Sequence, residues 1–205
     1  MVTVSAFFGS PERVFYELMS FDIHVDVPVV PPTDARPWIT LVTQGAGARV
    51  MNAPDGLDPE EWGRAEYLIC LPPDWGSFEK AYMGDFSETA YWPIRLLKTL
   101  ARLPINEDGW LGWGHTVDNG QPFADDTELC ESLLLGPYSF DEGSAFCALP
   151  DGGRVAFYQV VPLYREEGDY AVAHNADALI NCLSDVVEDC VDIHRPNCCK
   201  EPESA

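Results

Sequence analysis

The residues best suited to chemistry are the cysteines and histidines. Near the end of the chain, Cys190, His194, Cys198 and Cys199 offer thiolate and imidazole, the donor types that zinc prefers. Pro196 breaks any helix that would bring them to one face, and Cys198-Cys199 lacks the short gap of a zinc-binding cysteine pair. Cys182 and Cys190 also complete an apolar helical stripe, for which burial is a sufficient account. The adjacent Cys198 and Cys199 could instead oxidise or join two chains. The remaining histidines, His24, His115 and His174, are scattered. His115 is notable for its place between a Trp- and Gly-rich segment and the turn Asp118-Asn119-Gly120, although a hydrogen-bonded structural role is the plainer account.

No motif assembles a reactive centre. GxSxG, HExxH and CxxC are all absent. Gln44-Gly45-Ala46-Gly47 has two glycines but no following lysine, so it reads as a turn rather than a phosphate loop. The carboxylate pairs Asp125-Asp126 and Glu166-Glu167 read as solvated faces in a chain rich in acid. We therefore assign no catalytic residue and infer no cofactor.

A run of aromatic residues carries more promise. Trp75, Phe78, Tyr82 and Phe86 are rimmed by Asp74, Glu79, Asp85 and Glu88, the mixture found at protein-binding hot spots. Satellite core beneath a long loop is the competing account. Asp125, Asp126 and Glu128 make a second acidic patch. The candidate contact residues are Asp74, Trp75, Phe86, Glu88, His115, Asp125 and Asp126.

Charge narrows the partner. Over 205 residues, 12 Lys and Arg face 34 Asp and Glu, a formal charge of −22. Such a surface repels nucleic acid and anionic membranes. It attracts a basic protein, and it also serves solubility. No apolar run approaches the roughly 20 residues of a membrane span. Met1 to Phe8 lacks the basic and apolar regions of a secretory signal. The 7 cysteines, an odd number, then read as thiols of a cytoplasmic protein. The oligomeric state is left open.

The elements that must position these residues follow from periodicity. Ser10-Pro11-Glu12 predicts a helix start, with Val14, Phe15 and Leu18 on one face. Ile23, Val25, Val27 and Val29 alternate, and Pro28 predicts an edge strand. Strands are predicted at 38–43, 65–71, 110–117, 128–135, 144–149 and 154–164, with a polar loop at 54–64. A helix from Ser87 carries Trp92, Leu96, Leu97, Leu100 and Leu103, becomes regular near Tyr91 and ends at Pro104. Asn175 caps a helix with Leu179, Leu183, Val186, Val187 and Cys190 on one face. Clustered strands with scattered helices indicate α+β, with a mixed or mainly antiparallel central sheet flanked by helices. Residues 1–37 supply a helix and edge strand to the same domain, 38–195 its body, and 196–205 a loose polar tail.

Several segments, in order, resemble the suppressor-of-fused-like family in its compact bacterial type. They are Thr40-Leu41-Val42-Thr43-Gln44-Gly45, Glu66-Tyr67-Leu68-Ile69-Cys70-Leu71-Pro72, and Trp92-Pro93-Ile94 through Leu100-Ala101-Arg102-Leu103-Pro104. Gly114-His115-Thr116-Val117 and the run from Phe157 to Glu167 complete the set. The resemblance implies a central sheet flanked by helices and a role in binding protein. In animals the namesake sequesters a transcription factor by gripping an extended peptide. The resemblance to bacterial relatives implies an immunity protein that neutralises a toxin by binding it. The sequence shows no counterpart of the animal protein's second domain, so that protein's peptide contacts are not carried over. The expectation is a non-catalytic protein-binding domain with a basic partner, either a toxin or an endogenous protein captured by strand addition; a metal- or small-molecule-binding enzyme is the third alternative, for which only the Cys/His tail speaks.

Overall fold

The structure, a computed structural model, describes residues 4–76 and 87–200. Its strands are β1 (Arg13–Phe15), β2 (Val27–Val30), β3 (Ile39–Val42), β4 (Ala65–Leu71), β5 (Thr116–Asp118), β6 (Glu131–Leu135), β7 (Phe146–Ala148) and β8 (Arg154–Leu163). Among the described residues the helices are α1 (Pro59–Trp62), α2 (Glu88–Asn106), α3 (Arg165–Ala173) and α4 (Ala176–Leu183). The strands form one sheet in the order β1-β2-β3-β4-β8-β6-β5, with β7 also paired to β8. Among the described residues β4 and β8 pair in parallel and the other pairs are antiparallel. The α+β expectation with a mixed, mainly antiparallel sheet holds.

The two central strands are buried on both faces. Alternation along β4 sends Tyr67, Ile69 and Leu71 into one apolar cluster and Leu68 and Cys70 into another. The first cluster is covered by α2 through Trp92, Ile94, Leu96, Leu97 and Leu100. Across the sheet, Val4 and Phe8 close the second cluster, and α4 lays Leu179 and Leu183 on Leu133, Val161 and Leu163. Arg102 of α2 pairs with Glu17 and Asp22, which ties the N-terminal segment to the helix.

Several local expectations give way to tertiary pairing. The predicted helix after Ser10 is instead strand β1, where Phe15 is buried and Leu18 is exposed. One short apolar face offers less than pairing with β2. β2 begins only at Val27 and lies second from the sheet end, with Pro28 opposite Val14. The 54–64 loop contains the one-turn α1, whose signal was Asp58 before Pro59: the Asp58 carboxylate accepts from the Glu60 amide. From 110–117 only Thr116 and Val117 are strand; Gly114 takes φ 78, and a side chain at Gly112 would strike the Trp110 ring.

Helix α2 starts at Glu88, earlier than Tyr91, and runs past Pro104 to Asn106. Its stop is a left-handed Asp108, φ 48, with the Gly109 amide donating to the Pro104 carbonyl. Asn175 caps α4 as expected, its side-chain oxygen accepting from the Ala178 amide at 2.8 Å. That helix stops at Leu183, short of Val186, Val187 and Cys190. Asp185, Glu188 and Asp189 follow at its negative end, where carboxylates oppose further turns. The released chain becomes a strap over 184–196. α3 was not anticipated.

Candidate functional site

The strap fills the space where parallel β4 and β8 part. The Val191 amide donates to the Cys70 carbonyl at 2.9 Å, and the Asp189 carbonyl accepts from buried Gln159 of β8. Beside it, the turn after β4, the start of α2, the 124–128 loop and the strap enclose a groove of about 720 Å³. Asp74, Asp126, Glu188 and Asp192 line it, as does Trp75. Among the described residues no Lys or Arg lines it and none of the four carboxylates makes an ion pair. Elsewhere arginines neutralise Glu17, Glu61, Glu88, Asp118, Glu131 and Glu167.

The groove is held by uncharged contacts. The Trp75 indole donates to the Ala90 carbonyl at 3.2 Å and meets Trp92 edge-on, and Trp92 stacks on Phe123. Thr127 donates to the Ile193 carbonyl at 3.1 Å, fastening the loop to the strap. Burial, and then the charges of Glu188, Asp189, Asp192 and Asp74, push the Cys190 thiol up. That field suits a cation and keeps the sulfur protonated.

Two buried carboxylates support the frame. Glu66 of β4 sits in the turn that the sequence read as glycine-rich: its Oε1 accepts from the Gly45 and Gly47 amides, and its Oε2 from the Thr43 hydroxyl and the Ala46 amide. Burial pushes its pKa up to about 7, while those four donors pull it down. Gly45 has φ 120, and a side chain there would collide with the His24 carbonyl. Glu167, read as a solvated face, is fully buried. It accepts from the Tyr164 amide and pairs through both oxygens with Arg195 of the strap, at 2.6 and 2.5 Å. Burial raises its pKa, but the Arg195 hydrogen bonds and charge and the Tyr164 and Cys198 amides bring it below the ordinary value.

Comparison with known proteins places this arrangement. The family model for suppressor of fused protein (SUFU) matches residues 22–197. The chain belongs to the suppressor of fused family. The structure is similar to that of a protein from Neisseria gonorrhoeae FA 1090 described as a SUFU homolog, with TM-score 0.68 and 16% identity over 97% of this chain and 94% of that one. It is also similar to a chain of the Sufu-Fu complex, with TM-score 0.63 and 15% identity over 94% and 86% of the two chains. Drosophila Suppressor of Fused aligns at TM-score 0.51 with 18% identity, over 78% of this chain and 38% of that one. In sequence, Uncharacterized protein UU111 of Ureaplasma parvum serovar 3 is 28% identical over 133 residues, which are 64% of this chain. The match spans 61% of that relative's length. At these identities the structural likenesses speak for the SUFU fold.

Within this SUFU-family chain, the groove gathers three of the anticipated contact residues, Asp74, Trp75 and Asp126. Asp125 is exposed beside them but does not line it. Glu88 is ion-paired with Arg95 on α2. His115 lies apart, edge-on to Trp110 at 4.9 Å, with burial lowering its pKa. Phe86, with Phe78, Glu79, Tyr82 and Asp85, lies outside the described residues.

The Cys/His set is not gathered. Cys190 packs with the cluster holding Cys70, whereas Cys198 and Cys199 pack with Leu179 and Leu183, and no three described His, Cys, Asp or Glu side chains could hold a metal. Cys198, placed within the expected tail, donates its amide to Glu167. Glu188 and Asp192 were missed as groove residues. Their signal was the acid run from Asp185 to Asp192, hidden by reading Val186 and Val187 as helix.

Proposed function

We propose that this chain is a protein-binding domain that acts by contact, docking a basic partner in the groove of Asp74, Asp126, Glu188 and Asp192. The observation that carries this reading is that four carboxylates meet in one concavity with no ion pair to any of them among the described residues. A field of one sign in a concave surface steers an oppositely charged partner. A solved Sufu-Fu complex supports protein binding as the mode of action. Within that mode we favour an immunity protein, acting in the cytoplasm, that neutralises a basic toxin. Capture of an endogenous peptide by strand addition is less well supported, because the outer strands β1 and β5 are three residues each.

The test is co-purification of the full chain with proteins of its own source, followed by binding kinetics of the recovered partner. Reversing Asp126 and Glu188 to Lys should slow association at least about tenfold at low salt and flatten its salt dependence. Kinetics unchanged by both reversals would sink the groove as the docking site.

A further inference from the structure

The strap that walls the acidic groove with Glu188 also lines a second cavity, of about 540 Å³, with Ser184 and Val187. Its walls are apolar: Trp113, Leu135, Pro137, Tyr138 and Ile180. Trp113 and Tyr138 are each 46% exposed, although rings of this size are usually better covered. The Tyr138 hydroxyl donates to the Glu188 carbonyl at 3.3 Å, so one residue of the strap braces the cleft and walls the groove. Asp141 and Glu142 stand at the cleft's lip; among the described residues no basic one lines it and neither carboxylate is ion-paired.

We propose that this cleft receives a bulky apolar side chain from a partner segment whose neighbouring Lys or Arg residues enter the adjoining acidic groove. Half-exposed Trp and Tyr in a concave apolar setting are the make-up of an anchor site. The acidic lip and the groove beyond the strap set the charge of what flanks the anchor. A second copy of this chain is a poor occupant, since two molecules of charge −22 would meet across acidic rims. The proposal rests on the protein-binding reading above and adds a bipartite recognition rule: an apolar anchor plus a basic flank.

The experiment selects from a random linear peptide library displayed on phage, with the full-length protein immobilised, and measures selected peptides by fluorescence polarisation. The expected winners carry Phe, Leu, Ile or Trp beside Lys or Arg. Trp113→Ala should weaken them about tenfold or more, the scale of a lost hot-spot residue. Ser184→Lys, at an exposed position on the lip, tests the same point without removing an aromatic ring and should also weaken them. Winners that are basic without an apolar anchor, insensitive to both changes yet lost on Asp126→Lys, would overturn the cleft and spare the groove. Apolar winners with acidic or neutral flanks would overturn the pairing of the two sites. No enrichment above background would overturn both this proposal and the docking reading.

Discussion

Glu66 is buried among neutral donors, the Thr43 hydroxyl and the amides of Gly45, Ala46 and Gly47, and this makes it a pH-sensitive group. The Thr43 hydroxyl both donates to its Oε2 and accepts from the Tyr67 amide, so the side chain is woven into the β3–β4 junction. Its folded pKa of about 7 lies above the unfolded value near 4.5. The folded state therefore holds more proton than the unfolded state between those values, and stability from this group falls as pH rises through that window. We expect the wild-type melting temperature to decline between pH 4.5 and 7 and then to level off with respect to this residue. Glu66→Gln removes that part of the slope. It also costs about 1–3 kcal/mol at low pH, because an amide nitrogen then faces the Ala46 amide. Thermal denaturation of both proteins across the range checks this; parallel slopes would refute it. The Gly45-Ala46-Gly47 turn was legible as a place where backbone needs room, but its occupant lies on another strand, about twenty residues away.

The strap is an element without regular hydrogen bonding, so it depends on what pins it. Arg195 donates to Glu167 of α3 through both outer nitrogens and to the Pro162 carbonyl of β8, and its guanidinium lies 5.1 Å from the Tyr164 ring centre. Arg195→Ala strands a buried carboxylate and should cost about 3–5 kcal/mol in urea unfolding. The double change Arg195→Met with Glu167→Leu removes both charges and should restore most of that loss, whereas an equal loss in both variants would refute the pairing account. Partner binding should weaken in the single variant as well, since the strap walls both cavities. This element was hidden in the sequence because its valines repeat at helical spacing. The acids that end α4 at Leu183 were visible, but the pull of Arg195 toward α3 was not. The long α2 was legible from its leucine stripe, because an amphipathic helix covering a sheet shows its period directly.

At the scale of the whole molecule, the excess of 34 acidic over 12 basic residues means that folding concentrates like charge. Salt should therefore stabilise the protein: raising ionic strength shortens the screening length to about 8 Å near 0.15 M. A melting temperature that rises on adding sodium chloride, and rises less after reversal of Asp126 and Glu188 to Lys, is the expected result; no change would mean the charge is dispersed enough to be harmless. By itself the amino-acid order determined the sign of that charge, the α+β class, the central strands and the family resemblance. These rest on local periodicity and on composition, which act without knowledge of distant neighbours. Only the tertiary structure decided that Asp74, Asp126, Glu188 and Asp192 share one groove, that Trp113 and Tyr138 share one cleft, and that Glu66 and Glu167 are buried. Those facts depend on which segments meet across β4 and β8, and long-range pairing leaves no period in the chain that forms it.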